Sequence, residues 1–530
     1  MLAGSLRAAG ARVSVFDANL EVQEALFAPG RLGHEAAVLA QSGAPAARVT
    51  SARRAALGTT RAVECLRDVR TYRDLGAYRA AVNRLEEACR VLSRAGSSRL
   101  SLSDLTVEGL SPLSSSDLGA VARDPSALPF ADELAALVPR ILEGAPRLIG
   151  VSAVYLSQAL PAFALAGLLR RAGYGGRLVL GGGVVSSWAP RLGPQSVLFE
   201  AWDALVAGPG EEALGALLGH GDPRDASGVL APALGVWNAP ATGGRAPVWF
   251  EPDPKGLPWD RYLSPGPVLP LATSRGCYWG RCAFCPEATE GRQGFQTMRA
   301  GALRDAVLRA RDTHGFRWVH LTDDAVPPGT LRTLARGLQG EGVRWYGFAR
   351  LEAALLDPAF SEELAAGGCA MLQLGVETAS QRLLDGLGKG TRIADVGAML
   401  RNVARAGIRT YVYLLFGIPT ETAEEARTTG DWAVRHADAV TFLNLALLNL
   451  PRGSELERDP ARYGLTELHA SSGSRDLSLY RSYASEGGGS RRDLRRVLAA
   501  VRARPEIRRI LARTPPGFTS NHAAFAPLDG

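Results

Sequence analysis

Three of the six cysteines in this 530-residue chain fall within nine positions: Cys277, Cys282 and Cys285, in the run Thr-Ser-Arg-Gly-Cys-Tyr-Trp-Gly-Arg-Cys-Ala-Phe-Cys-Pro. Thiolates this close in sequence can converge on one metal centre without help from a distant part of the fold. Three soft ligands suit an iron–sulfur cluster or zinc. A structural zinc site needs a fourth nearby ligand, and the next histidines, His314 and His320, lie beyond a helix expected after the loop. A 4Fe–4S cluster on three cysteines keeps one iron open to a further ligand. The loop is therefore expected to hold a cluster, with zinc or three plain structural thiols as the competing readings.

Such a loop needs a scaffold that presents it. Strands are expected near 268–273, 317–322, 343–348, 370–376, 409–416 and 439–446, with a helix-length segment after each of the first five. Six alternating units predict a partial (β/α) barrel, whose chemistry gathers where the loops leave the carboxyl ends of the strands. The polar candidates lie there. The cysteine loop follows the first strand, Thr322-Asp323-Asp324 the second and Arg350 the third; Gly375-Val-Glu377-Thr-Ala-Ser380 ends the fourth, and Gly417-Ile-Pro-Thr-Glu421 the fifth. Each alone reads equally well as a helix cap or a turn. Lys389, in Gly388-Lys-Gly390, reads either as a ligand-facing charge or as a solvated loop residue.

The N-terminal half carries a second α/β pattern. A strand at 148–154 leads to a helix at 158–171, then a strand at 177–180 before Gly181-Gly182-Gly183. A further strand at 204–207 precedes Gly208-Pro-Gly-Glu211. Alternation of this kind predicts a parallel sheet covered on both faces. Glycines at its carboxyl edge suit close approach of a ligand, or simply a tight turn. Arg12–Phe16 reads as a short strand ending at Asp17. Residues 40–145 break the alternation, with helices at 77–94 and 131–142 and a Ser/Pro-rich connection at 111–129 between them. We read a domain at 1–237 with a helical insertion at about 40–145, a linker at 238–265, the barrel at 266–470 and an extension at 471–530.

Composition narrows the setting. Apolar residues make up 46% of the chain, enough for real cores, yet no run reaches the ~18 uncharged apolar residues of a membrane span. The N-terminus has no secretory pattern, and Cys65, Cys89 and Cys369 are too scattered for a disulfide framework, so a reducing cytoplasm is expected. The net charge of +7 is nearly all arginine, since lysine occurs only at positions 255 and 389. The one local excess, around Arg491–Arg508, reads as a solvated helix face, with an RNA or acidic-peptide contact as the alternative. A nucleic-acid partner is not expected.

The cysteine loop and the motifs that follow it resemble the radical SAM superfamily. The closest likeness is to its branch with an N-terminal cobalamin-binding domain, and it runs along nearly the whole chain. The superfamily's commonest spacing has three residues between the first two cysteines; this chain has four, while the Cys282–Cys285 gap keeps the usual two. Phe284 resembles the aromatic that shields the cluster, with ordinary core packing as its alternative. By this resemblance Thr322, Asp323 and Asp324 lie where the SAM amino group is held, Arg350 offers a carboxylate partner, and Glu377 with Ser380 lies on the ribose side. Gly417 marks the adenine side. Ser152, Tyr155, Gln158, Gly181, Gly182, Gly183, Gly208 and Glu211 match landmarks of the cobalamin domain. Asn449–Ser454 and Asp459–Leu465 resemble the segment that trails the barrel in this branch, and the extension is expected to cover the barrel's open side.

Two departures stand out. The chain begins inside the first helix of the cobalamin domain, leaving either a misassigned Met1 or a sheet without its first strand. It also has no Asp-x-His-x-x-Gly motif, and His34 reads as a polar-loop residue, so cobalamin would bind with no protein histidine beneath the metal. The resemblance implies an enzyme with a 4Fe–4S cluster, S-adenosyl-L-methionine and cobalamin. Reductive cleavage of SAM to a 5′-deoxyadenosyl radical would serve methylation of an unactivated carbon in a peptide or small metabolite. Radical cyclisation or rearrangement on the same cofactors, and a degenerate cobalamin- or partner-binding protein, are the alternatives. An electron donor such as flavodoxin or ferredoxin is the implied partner.

Overall fold

The computed structural model describes residues 1–94, 97–239, 252–286, 295–469 and 475–525. Its N-terminal sheet runs in the order β1 (Leu148–Ser152), β2 (Arg177–Gly181), β3 (Ala204–Val206), β4 (Val229–Ala231) and β5 (Val236–Trp237). The first three strands are parallel and the last two are added antiparallel. Side chains alternate across the sheet, as the two-residue period of a strand requires. Leu178, Leu180, Leu205 and Leu230 face the core that contains helix Ala159–Arg171. Val179, Ala204, Val206 and Val229 face Leu6 of helix Leu2–Ala8 and Leu214 of helix Glu211–Leu217. Both faces are therefore covered, as expected. β4 and β5, three and two residues long, are too short to carry a readable period.

Arg12–Phe16 corrects the sequence reading: it joins no strand ladder. Its apolar side chains do not share one face. Val13 rests on the sheet core, Val15 packs near Gly256, and Phe16 is 42% exposed. Asp17 instead caps helix Ala18–Phe27, its carboxylate accepting from the Leu20 amide at 2.9 Å. The insertion is helical, with helices at Pro29–Gln41, Ala46–Arg67, Leu75–Leu92, Ser115–Arg123 and Ala131–Leu142. The third starts two residues before the expected 77 because Asp74 accepts from the amides of Gly76 and Ala77. The fourth lies inside the supposed connection, where Ser114 caps it by accepting from Asp117 N–H. His34 is exposed on a helix, not in a loop.

The barrel strands are β6 (Val268–Leu271), β7 (Trp318–Leu321), β8 (Arg344–Ala349), β9 (Cys369–Glu377), β10 (Arg409–Phe416) and β11 (Phe442–Leu447). All pair in parallel in the order β11-β10-β9-β8-β7-β6, and among the described residues β11 does not pair with β6. Outward residues such as Val319, Leu321, Leu372, Leu374, Val412 and Leu443 pack against the helical layer. The alternate positions point into the lumen. Beyond the barrel, β12 (Leu450–Pro451), β13 (Leu465–His469) and β14 (Tyr480–Ser485) form a small antiparallel sheet.

The extension does not act as expected. Helix Arg491–Ala503 buries Leu494, Val497, Leu498 and Val501 in the barrel's outer layer, and helix Pro505–Arg513 buries Ile507 and Ile510. Their arginines at 492, 495, 496, 502 and 508 are exposed, which is the solvated face read from the sequence. The tail then turns under the barrel. Ala523 joins Tyr346, Met371, Tyr411 and Phe442 in one core, and His522 lies 5.3 Å from Tyr411 and 5.2 Å from Phe442, ring to ring. It closes the floor of the barrel. Among the described residues no helix is long and apolar enough to cross a membrane.

Candidate active site

The cysteine loop leaves β6 through Thr273-Ser274-Arg275, and a single buried carboxylate holds that exit. Asp323, 5% exposed, accepts from the Thr273 amide at 2.9 and 3.1 Å, from the Thr273 hydroxyl at 2.9 Å and from the Ser274 hydroxyl. A carboxylate with three donors of its own chain, one of them shared between its two oxygens, is committed to positioning. Asp323 therefore anchors the loop and does not face a ligand. Its neighbours Thr322 and Asp324 are exposed at the barrel mouth. The surrounding protein, and then Asp323, raise the Asp324 carboxyl above its ordinary value.

The loop's far side is clamped by the segment after β9. Trp279 donates its indole N–H to the Gly388 carbonyl at 2.8 Å, and Ala283 N–H bonds the Leu387 carbonyl at 2.8 Å. Gly388 and Gly390 have φ of +65° and +70°, and a Cβ on Gly390 would lie 2.1 Å from the Trp279 ring. Only glycine satisfies both demands there. Between them Lys389 is 7% exposed, which settles its two readings against a solvated loop. Its ammonium meets Glu377 at 2.7 Å and stands 5.8 Å from the Phe284 ring centroid. Glu377 itself is a non-glycine residue with φ of +67°, at the register shift that ends the β9–β10 ladder. Strain of this kind costs roughly 1–3 kcal/mol and concentrates at functional sites.

Arg350 lies under the loop with only 6% of its side chain exposed. Its guanidinium stacks 4.1 Å from the Trp279 ring centroid, bonds the Lys389 carbonyl, pairs with Glu352 at 3.1 Å and reaches Cys282 Sγ at 3.9 Å. Tyr278 donates its hydroxyl to the same Glu352 carboxylate at 2.8 Å. Burial pushes the Cys282 thiol up, while Lys389 and Arg350 pull it down. Burial wins, so the net shift is upward, and the two cations only partly offset it. All three loop cysteines are half-buried, against buried Cys89 and Cys369. Among the described residues no three His, Cys, Asp or Glu side chains stand at metal-holding spacing, so what fits a cluster here is the donor set and its electrostatics.

Ser380 is occupied elsewhere. Its hydroxyl donates to Glu425 at 2.7 Å and caps helix Gln381–Gly386. Gly417, φ +79°, donates its N–H to Glu421 and accepts at its carbonyl from Tyr483. Glu421 is 0% exposed, and burial lifts its carboxyl to about 7 despite help from the Gly417 and Ile418 amides. Between pH ~4.5 and 7 the folded chain then holds a proton that the unfolded chain releases, so stability falls as pH rises. Glu421→Gln should remove that fall and leave the variant more stable than the parent at pH 8, by on the order of 3 kcal/mol. Urea unfolding at pH 5 and pH 8 checks this; an unchanged pH slope in the variant refutes it.

In the N-terminal domain, Ser152, Val154 and Tyr155 are exposed at the end of β1, with Tyr155 at 69%. The Oε1 of Gln158 is used within the chain, accepting from the amides of Val154 and Tyr155 at 2.8 and 2.9 Å. Gly182 has φ of +101°, and a Cβ there would lie 2.4 Å from the Ala153 carbonyl oxygen. Its glycine is demanded by strand packing, not by a ligand's approach. Gly181 and Gly183 have no such clash, and the Gly208 amide bonds Ser186 Oγ at 2.8 Å.

Glu211 reaches across to the other domain. Its carboxylate pairs at 2.7 Å with Arg275, two residues before Cys277, with side-chain exposures of 11% and 23%. It joins the carboxyl edge of one domain's sheet to the cysteine loop of the other. Nothing in the sequence links these residues, 64 positions apart. Arg275→Glu should lower the melting temperature and Glu211→Arg should do the same, whereas the charge-swapped double variant should recover most of the loss. Additive losses in the double variant would show that the two groups do not interact.

Among known proteins, solved cobalamin-dependent radical SAM enzymes share this two-domain fold. TsrM from Kitasatospora setae, a radical S-adenosylmethionine methyltransferase solved with cobalamin and a 4Fe–4S cluster, aligns with a TM-score of 0.51 at 19% identity. The alignment covers 70% of this chain and 81% of TsrM. OxsB, a cobalamin-dependent S-adenosylmethionine radical enzyme solved with aqua-cobalamin and S-adenosylmethionine, aligns at TM-score 0.52 and 18% identity, over 66% of this chain and 57% of OxsB. At these identities the likeness is one of fold. In sequence, the tryptophan 2-C-methyltransferase of Streptomyces laurentii is 31% identical over 209 residues, covering 36% of this chain and 34% of that enzyme. The cytidylyl-2-hydroxyethylphosphonate methyltransferase of Streptomyces wedmorensis is 26% identical over 228 residues, covering 41% of this chain and 40% of that enzyme. The chain thus matches well under half the length of these curated relatives. No family model matches it.

Proposed function

We propose that this chain is a cobalamin-dependent radical SAM methyltransferase acting on a small-molecule substrate. The observation that carries the reading is the Glu211–Arg275 pair, which sets the carboxyl edge of the N-terminal sheet directly against a three-cysteine loop at the mouth of a radical SAM-type barrel. When bound, the cluster would supply the electron that cleaves SAM, and cobalamin would carry the methyl group.

The protein's share is positioning and electrostatics. Cys277, Cys282 and Cys285 are the cluster ligands in this reading, and Asp323 fixes the backbone from which they project. Arg350 and Lys389 offset negative charge gathered at Cys282. Glu377 and Asp324 face the mouth as carboxylates for the SAM ribose and amino group, with Glu377 exchanging its Lys389 contact for a ligand hydroxyl. The half-buried Gly181 and the exposed Gly183, Ser152 and Tyr155 leave the sheet edge open to a corrin face.

The test is anaerobic reconstitution of the full chain with iron, sulfide and hydroxocobalamin, followed by SAM labelled in its methyl group. About four irons and one cobalamin per chain, with label passing to cobalamin, are expected. Iron uptake and 5′-deoxyadenosine formation with no cobalamin retained would leave a radical SAM enzyme and remove methyl transfer. Stoichiometric zinc without iron would remove both.

A further inference from the structure

The side chains that point into the barrel divide into two levels. At the lower level Tyr346, Met371, Tyr411 and Phe442 are between 0% and 7% exposed and pack with Ala523 of the tail, forming a closed floor. One level above, His320, Phe348, Gly375, Tyr413 and Asn444 are all half-buried, although the outward-facing residues beside them on the same strands are buried. These half-buried residues line the lumen between the mouth and this floor.

Two polar atoms on the boundary have no partner. Gln373 is 4% exposed and Tyr346 1% exposed, yet Gln373 Oε1 and Tyr346 Oη make no hydrogen bond. The amide nitrogen of Gln373 is already used, donating to the Tyr413 hydroxyl at 2.8 Å. Buried polar groups are nearly always bonded, and leaving one unpaired is costly. Aromatic side chains line the lumen. His320 stacks on Tyr346 at 4.5 Å with planes 13° apart, and Phe348 lies 5.4 Å from Tyr413. The charged side chains Asp324, Arg350, Glu377 and Lys389 all lie at the mouth, above this level, and burial keeps His320 toward its neutral form.

We propose that this chamber binds an uncharged aromatic or heteroaromatic ring carrying an N–H or O–H donor, with Gln373 as the residue that selects the donor. This substrate class rests on the methyltransferase reading for its catalytic meaning, but the pocket itself does not. An aromatic lining favours a planar ring, which can meet it edge to face or offset-stacked. An acceptor held away from water rejects the isostere that cannot fill it, because that isostere leaves the buried oxygen unpaired.

The experiment compares indole with indene, its isostere without an N–H, by calorimetric titration of the full chain without cluster, SAM or cobalamin. Indole should bind saturably and about tenfold more tightly than indene. Gln373→Met should erase that difference. Asn444→Phe, which fills the chamber from a half-buried wall, should abolish binding of both probes and keeps the test valid if the first variant does not fold. Equal binding of the two probes, a preference that survives Gln373→Met, or no saturable binding at all (the two atoms being served by water alone) would each overturn the proposal. Indole selectivity in a protein that takes up no iron would instead overturn the methyltransferase reading and leave the pocket standing.

Discussion

Replacing Cys277, Cys282 or Cys285 singly with alanine is expected to abolish iron incorporation, the charge-transfer absorption of the reconstituted protein, and SAM cleavage. Each supplies one of only three thiolates on the loop, so losing one leaves two ligands for a cluster that needs three. The matched control is Cys369→Ala. That thiol is fully shielded, raised by burial far above its ordinary value, and lies in the interior beside the start of β9. Its replacement should leave the iron content unchanged. Cys282 stands beside two cations, Lys389 and Arg350. Full iron content in a loop variant, or equal loss in the Cys369 variant, would refute the assignment.

The second large effect is expected at Lys389. Lys389→Met strands the Glu377 carboxylate, whose side chain is 12% exposed, with its cation gone. Breaking one partner of a buried pair costs roughly 3–5 kcal/mol, because the remaining charge has lost both water and counter-ion. Urea unfolding should show that loss, and the double variant Lys389→Met/Glu377→Gln should recover much of it. Glu377→Gln alone should weaken SAM binding, since a carboxylate's charge-assisted bond to a ligand hydroxyl is worth roughly 1.5–3 kcal/mol more than nothing in its place. A Lys389→Met variant as stable as its parent would mean that the pair is not held dry in solution.

Glu377 and Thr420 make a related point about strain. Both are non-glycine residues at positive φ, +67° and +64°, and both follow barrel strands at the mouth. Each is held by a specific partner, Lys389 for the first and the Ser485 hydroxyl for the second, which accepts from the Thr420 amide at 2.7 Å. The strain lies at the barrel mouth, and it is compensated by a contact twelve residues on for Glu377 and 65 residues on for Thr420.

The sequence by itself determined the elements and what stands at their ends. The six barrel strands lie within a few residues of their expected positions, because a two-residue apolar period and glycine or aspartate punctuation are local signals. The same locality made the cysteine loop legible, since its three thiols need no distant residue to be recognised. Even the missed helix Ser115–Arg123 had a local signature, serine at the cap with aspartate three residues on.

What only the tertiary structure decided is which charge meets which. Asp323, Gln158, Ser380 and Glu211 all lie at strand or helix ends, as expected of ligand-binding positions, yet each turns to a partner in its own chain. Asp323 finds Thr273 fifty positions away, Glu211 finds Arg275 at 64, and the tail's Ala523 carbonyl meets Arg409 at 114. A carboxylate's type says that it needs donors; packing of the two domains decides whose donors arrive first. The same holds for Gly182, where the reason for glycine is the Ala153 backbone 2.4 Å from where a Cβ would stand. Distances of that kind exist only after the sheet has formed, because they depend on backbone positions that no local pattern encodes.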